Sequence, residues 1–221
     1  MTAPARLNFV EEIALLALDD TTGTRLAGPA LAQDYALAGA LLCELSLLNR
    51  IDTDPAKLTV ISAAPTGDPM LDEALALITA AVQSSPVSRW LGFFAARARS
   101  LEQAAYDRLE ARGILRCEKA RFLWVLGARR YPTIDNRERT EVRTRLAALI
   151  LGDELPDARD AGLLSLLHAC RLTDAIFSGP DFSARAGRVA TLAKMDFVGR
   201  EAAATFATVK QALASVVPLG M

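Results

Sequence analysis

The residues best placed to do chemistry lie in SAAPTGDPMLDEAL, 62–75, where Asp68, Asp72 and Glu73 crowd behind a Pro-Thr-Gly-Asp-Pro turn. Three roles fit such a stretch. Asp68 and Asp72 are four apart, so on a helix they share a face and are candidates for acid–base work. A glycine-containing turn ahead of a helix can also cradle a phosphate. The third role is simply to start the helix. Three acids and the lack of a GK[ST] run argue against the phosphate cradle. No histidine, nucleophile or metal set accompanies the carboxylates. The helix start, by contrast, uses every residue: Asp68 as N-cap, Pro69 at the first helical position, Asp72 and Glu73 against the positive end of the dipole. The stretch is expected to begin a helix rather than to catalyse.

The other reactive types are thinly spread. Cys43, Cys117 and Cys170 lie far apart with no CxxC pair, which points to a reducing cytosol rather than a disulfide framework. Together with the single His168 they match no usual zinc spacing. His168, inside LLSLLHACRL, reads as a packed core residue. Glu44 sits in an apolar helix and needs an arginine or backbone donors. Trp90 and Trp124 read as packing residues. With no nucleophile–base pair and no glycine-rich cofactor loop, the expectation is a non-enzyme with neither cofactor nor metal.

Charge is more informative. The chain has 221 residues and a net charge of −1. Between Arg89 and Arg145 there are 14 basic residues against 7 acidic, while the rest holds 11 against 19. A basic middle in an acidic frame attracts anionic partners, unless its arginines merely solvate helix faces. The candidate headgroup-binding residues are Arg97, Arg99, Arg129 and Arg130. Arg97 and Arg99, two apart, face different directions on one helix. Arg129 and Arg130 are placed after a hairpin. Each basic side chain near an anionic bilayer contributes about 1 kcal/mol, so several must act together. Leu26 and Pro29 are candidates for shallow lipid contact, in competition with a buried loop contact.

The elements that must position these groups are mainly helical. Apolar residues make up 52% and aromatics 6% of the chain, which favours packed helices. LNFVEEIALLAL reads as an amphipathic helix with Glu11 and Glu12 on its polar side, and 31–48 as a central helix apolar nearly all round. A strand at 58–63 precedes helices from Asp68 to about 82 and from about 87 to 112. A strand ILRCEK and a strand FLWVLGA follow, placing a hairpin within 114–131. Further helices are expected at 136–151, 158–177, 181–194 and 197–215. Both hairpins follow a helix end, closed by Asn49 in the first case and Gly113 in the second. No signal peptide or membrane-spanning run is seen, so a cytoplasmic, soluble or peripheral protein of one domain, 1–221, is expected.

Several segments in series resemble the Golgi phosphoprotein three family, including its shorter bacterial relatives: LNFVEEIALLALDD, LLCELSLLNRI, SAAPTGDPMLDEAL, RLEARGIL, YPTIDNRERTEVRTRL and DARDAGLLSLLHACRLTDAIF. The resemblance implies a helical bundle ringed by amphipathic helices with a protruding β-hairpin. It also implies binding of phosphatidylinositol 4-phosphate through an aromatic residue and several arginines, and binding of Golgi-enzyme tails and coat proteins. Here the pocket aromatic falls near Pro29. One pocket arginine is Ala38, and of two spaced arginines one matches Arg99 and the other falls on Glu102, with Arg97 close by. The basic N-terminal tail is reduced to Arg6.

The leading expectation is therefore a non-enzymatic peripheral membrane protein that binds anionic phospholipid headgroups. Two alternatives stand beside it. One is a winged-helix-like nucleic-acid binder, disfavoured by the net acidity and by Asp107 and Glu110 on its would-be recognition helix. The other is a helical scaffold or homo-oligomer pairing through the hairpin 114–131.

Overall fold

The computed structural model describes residues 6–19, 22–26, 30–53, 57–81, 85–122, 125–193 and 211, and at 30, 53, 119–122, 125–129 and 158 the backbone alone. The helix α1, Phe9–Leu16, starts at Asn8 in a reciprocal cap: Glu11 N donates to Asn8 Oδ1 at 2.9 Å, and Asn8 N donates to Glu11 Oε2 at 2.8 Å. All eight of its residues are buried, Glu11 and Glu12 included. The amphipathic reading of α1 is thus corrected: its acidic side is not solvated but faces arginines from distant helices. α1 packs on α2, Ala30–Leu47, which carries the near-continuous apolar run ALAGALLCEL through the core.

Two short antiparallel hairpins punctuate the helices. β1, Ile51–Thr53, pairs with β2, Leu58–Val60, with Ile51 opposite Val60. β3, Glu118–Phe122, pairs with β4, Val125–Arg130. The second hairpin starts later than the ILRCEK pattern indicates. Leu115 instead makes an isolated bridge to Thr133, and Arg116 N donates to Pro132 O at 3.1 Å.

Between the hairpins lie α3, Pro69–Thr79, α4, Val87–Ala95, and α5, Ala98–Ala111. The expected single helix over 87–112 is broken at Ala96–Arg97, where Arg97 takes φ −110° and ψ 10°. α5 ends at Gly113, φ +74°, with Ile114 N bonded to Leu109 O at 2.9 Å and Gly113 N to Glu110 O at 2.9 Å. Asn49, φ +54°, closes α2 in the same way.

The remaining described helices are α6, Arg137–Leu151, α7, Ala158–Ala169, α8, Thr173–Ile176, α9, Pro180–Ala184, and α10, Ala186–Leu192. The expected helices over 158–177 and 181–194 are each split in two. The helix expected at 197–215 lies outside the described residues except at 211. α1 and α2 sit at the centre, with α5, α6 and α7 against α1, and α3, α4, α5 and α7 against α2. This arrangement brings both ends of the sequence's charge asymmetry into the interior.

Candidate functional site

The turn at 66–69 is a junction. Asp68 caps α3 by accepting from Met70 N at 3.0 Å, and Pro69 takes the first helical position. Asp72 folds back to accept from Thr66 N at 2.6 Å and the Thr66 hydroxyl at 2.7 Å, which holds its carboxyl below the usual range. Asp68 does more than cap. It accepts from Arg108 Nη1 at 2.5 Å and, on its other oxygen, from Asn8 Nδ2 at 2.8 Å. Arg108 Nε donates to Glu11 Oε1 at 2.8 Å. One arginine of α5 thereby ties the start of α1 to the start of α3.

A second cluster neutralises the other buried acids. Glu12 accepts from Arg145 at 3.1 Å and Arg159 at 3.4 Å. Glu44 accepts from Phe9 N at 2.8 Å and Arg159 at 3.2 Å, the arginine and backbone donors its burial demanded. Asp160 takes Arg145 Nε at 2.7 Å. Burial pushes the Glu12 and Asp160 carboxyls above their ordinary values, against the pull of these guanidiniums. Arg108 and Arg145 belong to the basic middle of the sequence, and Glu11, Glu12, Asp68 and Asp160 to its acidic frame. Part of the surplus positive charge is therefore consumed inside the fold. Arg139 is buried too, bonded to Leu18 O.

What remains outside is smaller and local. Arg97 stands at the α4–α5 break, its guanidinium 3.7 Å from the Phe93 ring centroid and its Nη1 donating to Phe93 O at 3.1 Å. It lines a cleft of ≈ 570 Å³ between α3 and α5, walled by Met70, Ala74, Leu77, Phe94 and Leu101, with Glu73 and Asp107 also on its lining. A neighbouring hollow of ≈ 460 Å³ shares Leu77 and is lined by Arg89, Trp90 and Phe93. Trp90, Phe93 and Phe94 form one aromatic cluster, which agrees with a packing role for Trp90. Arg99 is exposed on α5 outside both hollows. Arg97 and Arg99 thus point apart, and neither has a carboxylate partner among the described residues.

The remaining sequence candidates scatter. Arg129 and Arg130 do not follow the hairpin; they are the last rungs of β4, opposite Lys119 and Glu118 of β3. Arg130 is exposed, and the side chain of Arg129 lies outside the described residues. Leu26 is half-buried against the core, its N–H bonded to Ala17 O at 2.7 Å and its carbonyl to Gln33 Nε2 at 3.0 Å. Those bonds favour the loop contact over lipid insertion. Pro29 and Trp124 lie outside the described residues. His168 is exposed, not packed in the core: on the last turn of α7 it takes the outward side, while Leu166, Leu167 and Cys170 take the buried one.

The environment of Glu102 was not legible in the sequence. Its carboxylate accepts from Arg25 Nε at 2.6 Å and from the Tyr106 hydroxyl at 3.0 Å, and Arg25 also bonds Asp34 at 2.9 Å. Arg25 is held between two carboxylates, so its charge is answered within the protein. Tyr106, buried and beside Glu102, has its phenol held well above the usual range and packs at a tilt of 31° against Tyr131, with centroids 4.3 Å apart. Ala38 nearby in sequence is fully buried and offers no charge. The signal that could have found this group is the pairing logic itself: a glutamate standing where arginine is expected calls for a cation elsewhere, and TGTRLAG supplies it.

No helix among the described residues is long and apolar enough to cross a membrane. A family model described as Golgi phosphoprotein 3 (GPP34) matches residues 9–211, nearly the whole chain.

Proposed function

Starting from a chain that belongs to the Golgi phosphoprotein 3 family, we propose a non-enzymatic peripheral protein that settles on anionic phospholipid surfaces without enclosing one particular headgroup. The observation that carries this reading is the outer edge of α3 and α4. There Arg89 and Arg97, both exposed, flank Leu77, which is 40% exposed, and the half-buried Phe93. Guanidiniums beside apolar side chains suit the boundary between headgroups and acyl chains. Arg99 and Arg130 add exposed charge elsewhere on the surface.

Selectivity for phosphatidylinositol 4-phosphate finds less support. Where the second family arginine is replaced by Glu102, the cation beside it is Arg25, which is committed to Asp34 and Glu102. A phosphate monoester entering there would meet two carboxylates before it met a free guanidinium. Attraction summed over a few separated arginines, each contributing about 1 kcal/mol, gives weak binding that falls with salt.

Co-sedimentation with liposomes tests this directly, using neutral, phosphatidylserine, phosphatidylinositol and phosphatidylinositol 4-phosphate vesicles at low and physiological salt. The expected result is salt-sensitive binding to every anionic vesicle, reduced at least tenfold or so in Arg97→Glu/Arg99→Glu with the fold intact. Binding to the phosphoinositide alone, unaffected by the double variant, would replace the surface reading with a pocket. No binding to any vesicle would end it.

A further inference from the structure

A second cavity, remote in sequence from the residues above, has features that the membrane reading does not use. α7 ends in a turn in which Arg171 N donates to His168 O at 3.0 Å and Leu172 N to Leu167 O at 2.8 Å. This is the same closure seen at Asn49 and Gly113, and its left-handed residue is normally glycine or asparagine. Here it is Arg171, at φ +57°. An arginine in that conformation is strained relative to glycine, and such outliers concentrate where a side chain is needed in place.

Arg171 is exposed and lines a cavity of ≈ 590 Å³ between α6, α7, α8, α9 and α10. Its apolar wall includes Ile150, Val189 and the ring pair Phe177 and Phe182, whose centroids lie 5.3 Å apart. The polar groups are His168, Arg171, Thr173 and Asp174. Thr173 is only 7% exposed, yet its Oγ1 is buried with no hydrogen-bond partner. Buried hydroxyls are almost always satisfied, so an unpaired one in a residue of the cavity lining calls for a partner. The volume lies in the range of small-molecule sites, and an apolar wall with a few convergent polar groups is their usual make-up.

The charges narrow the ligand class. Arg171 has no carboxylate partner among the described residues and is suited to a planar anion. Asp174 lines the same cavity and disfavours a second negative charge. A phosphate monoester is therefore a poor fit and a carboxylate a good one. We propose that this cavity binds a small apolar monocarboxylate, its carboxylate meeting Arg171 and the Thr173 hydroxyl and its body lying against Phe177 and Phe182.

The test uses the full chain without lipid, so its outcome is independent of the liposome result. Calorimetric titration with phenylpropionate and octanoate, and with phenylpropanol as the uncharged control, reads the affinity. Saturable binding of at least one carboxylate is expected, with phenylpropanol at least tenfold or so weaker. Arg171→Gly should weaken carboxylate binding by about tenfold or more, and Thr173→Val by roughly three- to tenfold. Both variants should melt no lower than the parent, because one relieves a strained backbone and the other removes an unsatisfied hydroxyl. The proposal is overturned by lack of saturable carboxylate binding, by equal affinity for phenylpropanol, or by unchanged affinity in both variants. A lowered melting midpoint in both would also overturn it, since the two residues would then serve the fold.

Discussion

Replacing Arg108 by leucine should be among the most damaging single changes to the fold, although it removes a side chain that is 35% exposed. Arg108 bonds Glu11 at 2.8 Å and Asp68 at 2.5 Å. Glu11 is fully buried, and the loss of a buried carboxylate's partner costs about 3–5 kcal/mol in general. Two features place the expected value near the lower end. Glu11 keeps the Asn8 N–H at 2.8 Å and has Arg112 at 4.0 Å, and Arg108 itself is partly solvated. Asp68 keeps its cap bonds and Asn8 Nδ2, so its share is closer to 1 kcal/mol. The expected loss is about 3 kcal/mol, read as a lowered urea midpoint with unchanged slope. The companion cycle, Glu11→Gln with Arg108→Leu, should recover at least about 1 kcal/mol of the summed single losses, because the double variant leaves no stranded charge. A single-variant loss within about 0.5 kcal/mol of zero would refute the reasoning and reduce the pair to a surface contact.

Two further outcomes follow from local geometry and from buried charge. A Cβ at Gly23, φ +62°, would sit 2.5 Å from Pro132 N and 2.6 Å from Tyr131 C, both backbone, whereas at Gly113, φ +74°, it would meet nothing within 4 Å. Gly23→Ala should therefore cost about 2–4 kcal/mol and Gly113→Ala about 1–2 kcal/mol in urea unfolding; equal losses would show that the Tyr131–Pro132 segment yields. Glu12 titrates above its ordinary 4.5 because burial outweighs Arg159 and Arg145. Between 4.5 and that raised value the folded chain binds more protons than the unfolded one, so stability falls as pH climbs through the raised value. Relative to Glu12→Gln, the parent should lose unfolding free energy on going up through this window and run parallel to it below; a difference that grows with pH would reverse the sign and point to arginine attraction as the stronger effect.

The parts of the fold that could be read in the sequence are those decided within one turn of chain. Asp68-Pro69 announces the start of α3 because the cap and the proline act on adjacent backbone groups. Asn49 and Gly113 announce helix ends because few residues tolerate the left-handed turn. Glu44 announces a partner because an unpaired carboxylate cannot stay buried. The breaks that escaped notice lack such marks. Ala95-Ala-Arg-Ala-Arg99 is a run of good helix formers, and tertiary packing alone stops α4 there. Cys170-Arg171 carries neither glycine nor proline, so helix 158–177 reads as continuous until the arginine is seen in a glycine's conformation.

The candidate site was harder to read for a related reason. A guanidinium's role depends on which carboxylate it meets, and here the partners are far apart along the chain: Arg145 is 133 residues from Glu12, and Arg159 is 147. A window of net charge counts every arginine alike. Folding divides them into those that answer Glu11, Glu12, Glu44 and Asp160 inside and those left at the surface. The paired interior charges fix the positions of α1, α5, α6 and α7, while Arg89, Arg97 and Arg99 stay exposed, and they are the set proposed to meet lipid. That division gives the two sets different dependences on salt. Screening weakens the exposed set while leaving the desolvated one largely intact, so lipid attachment and folding should separate cleanly as ionic strength rises.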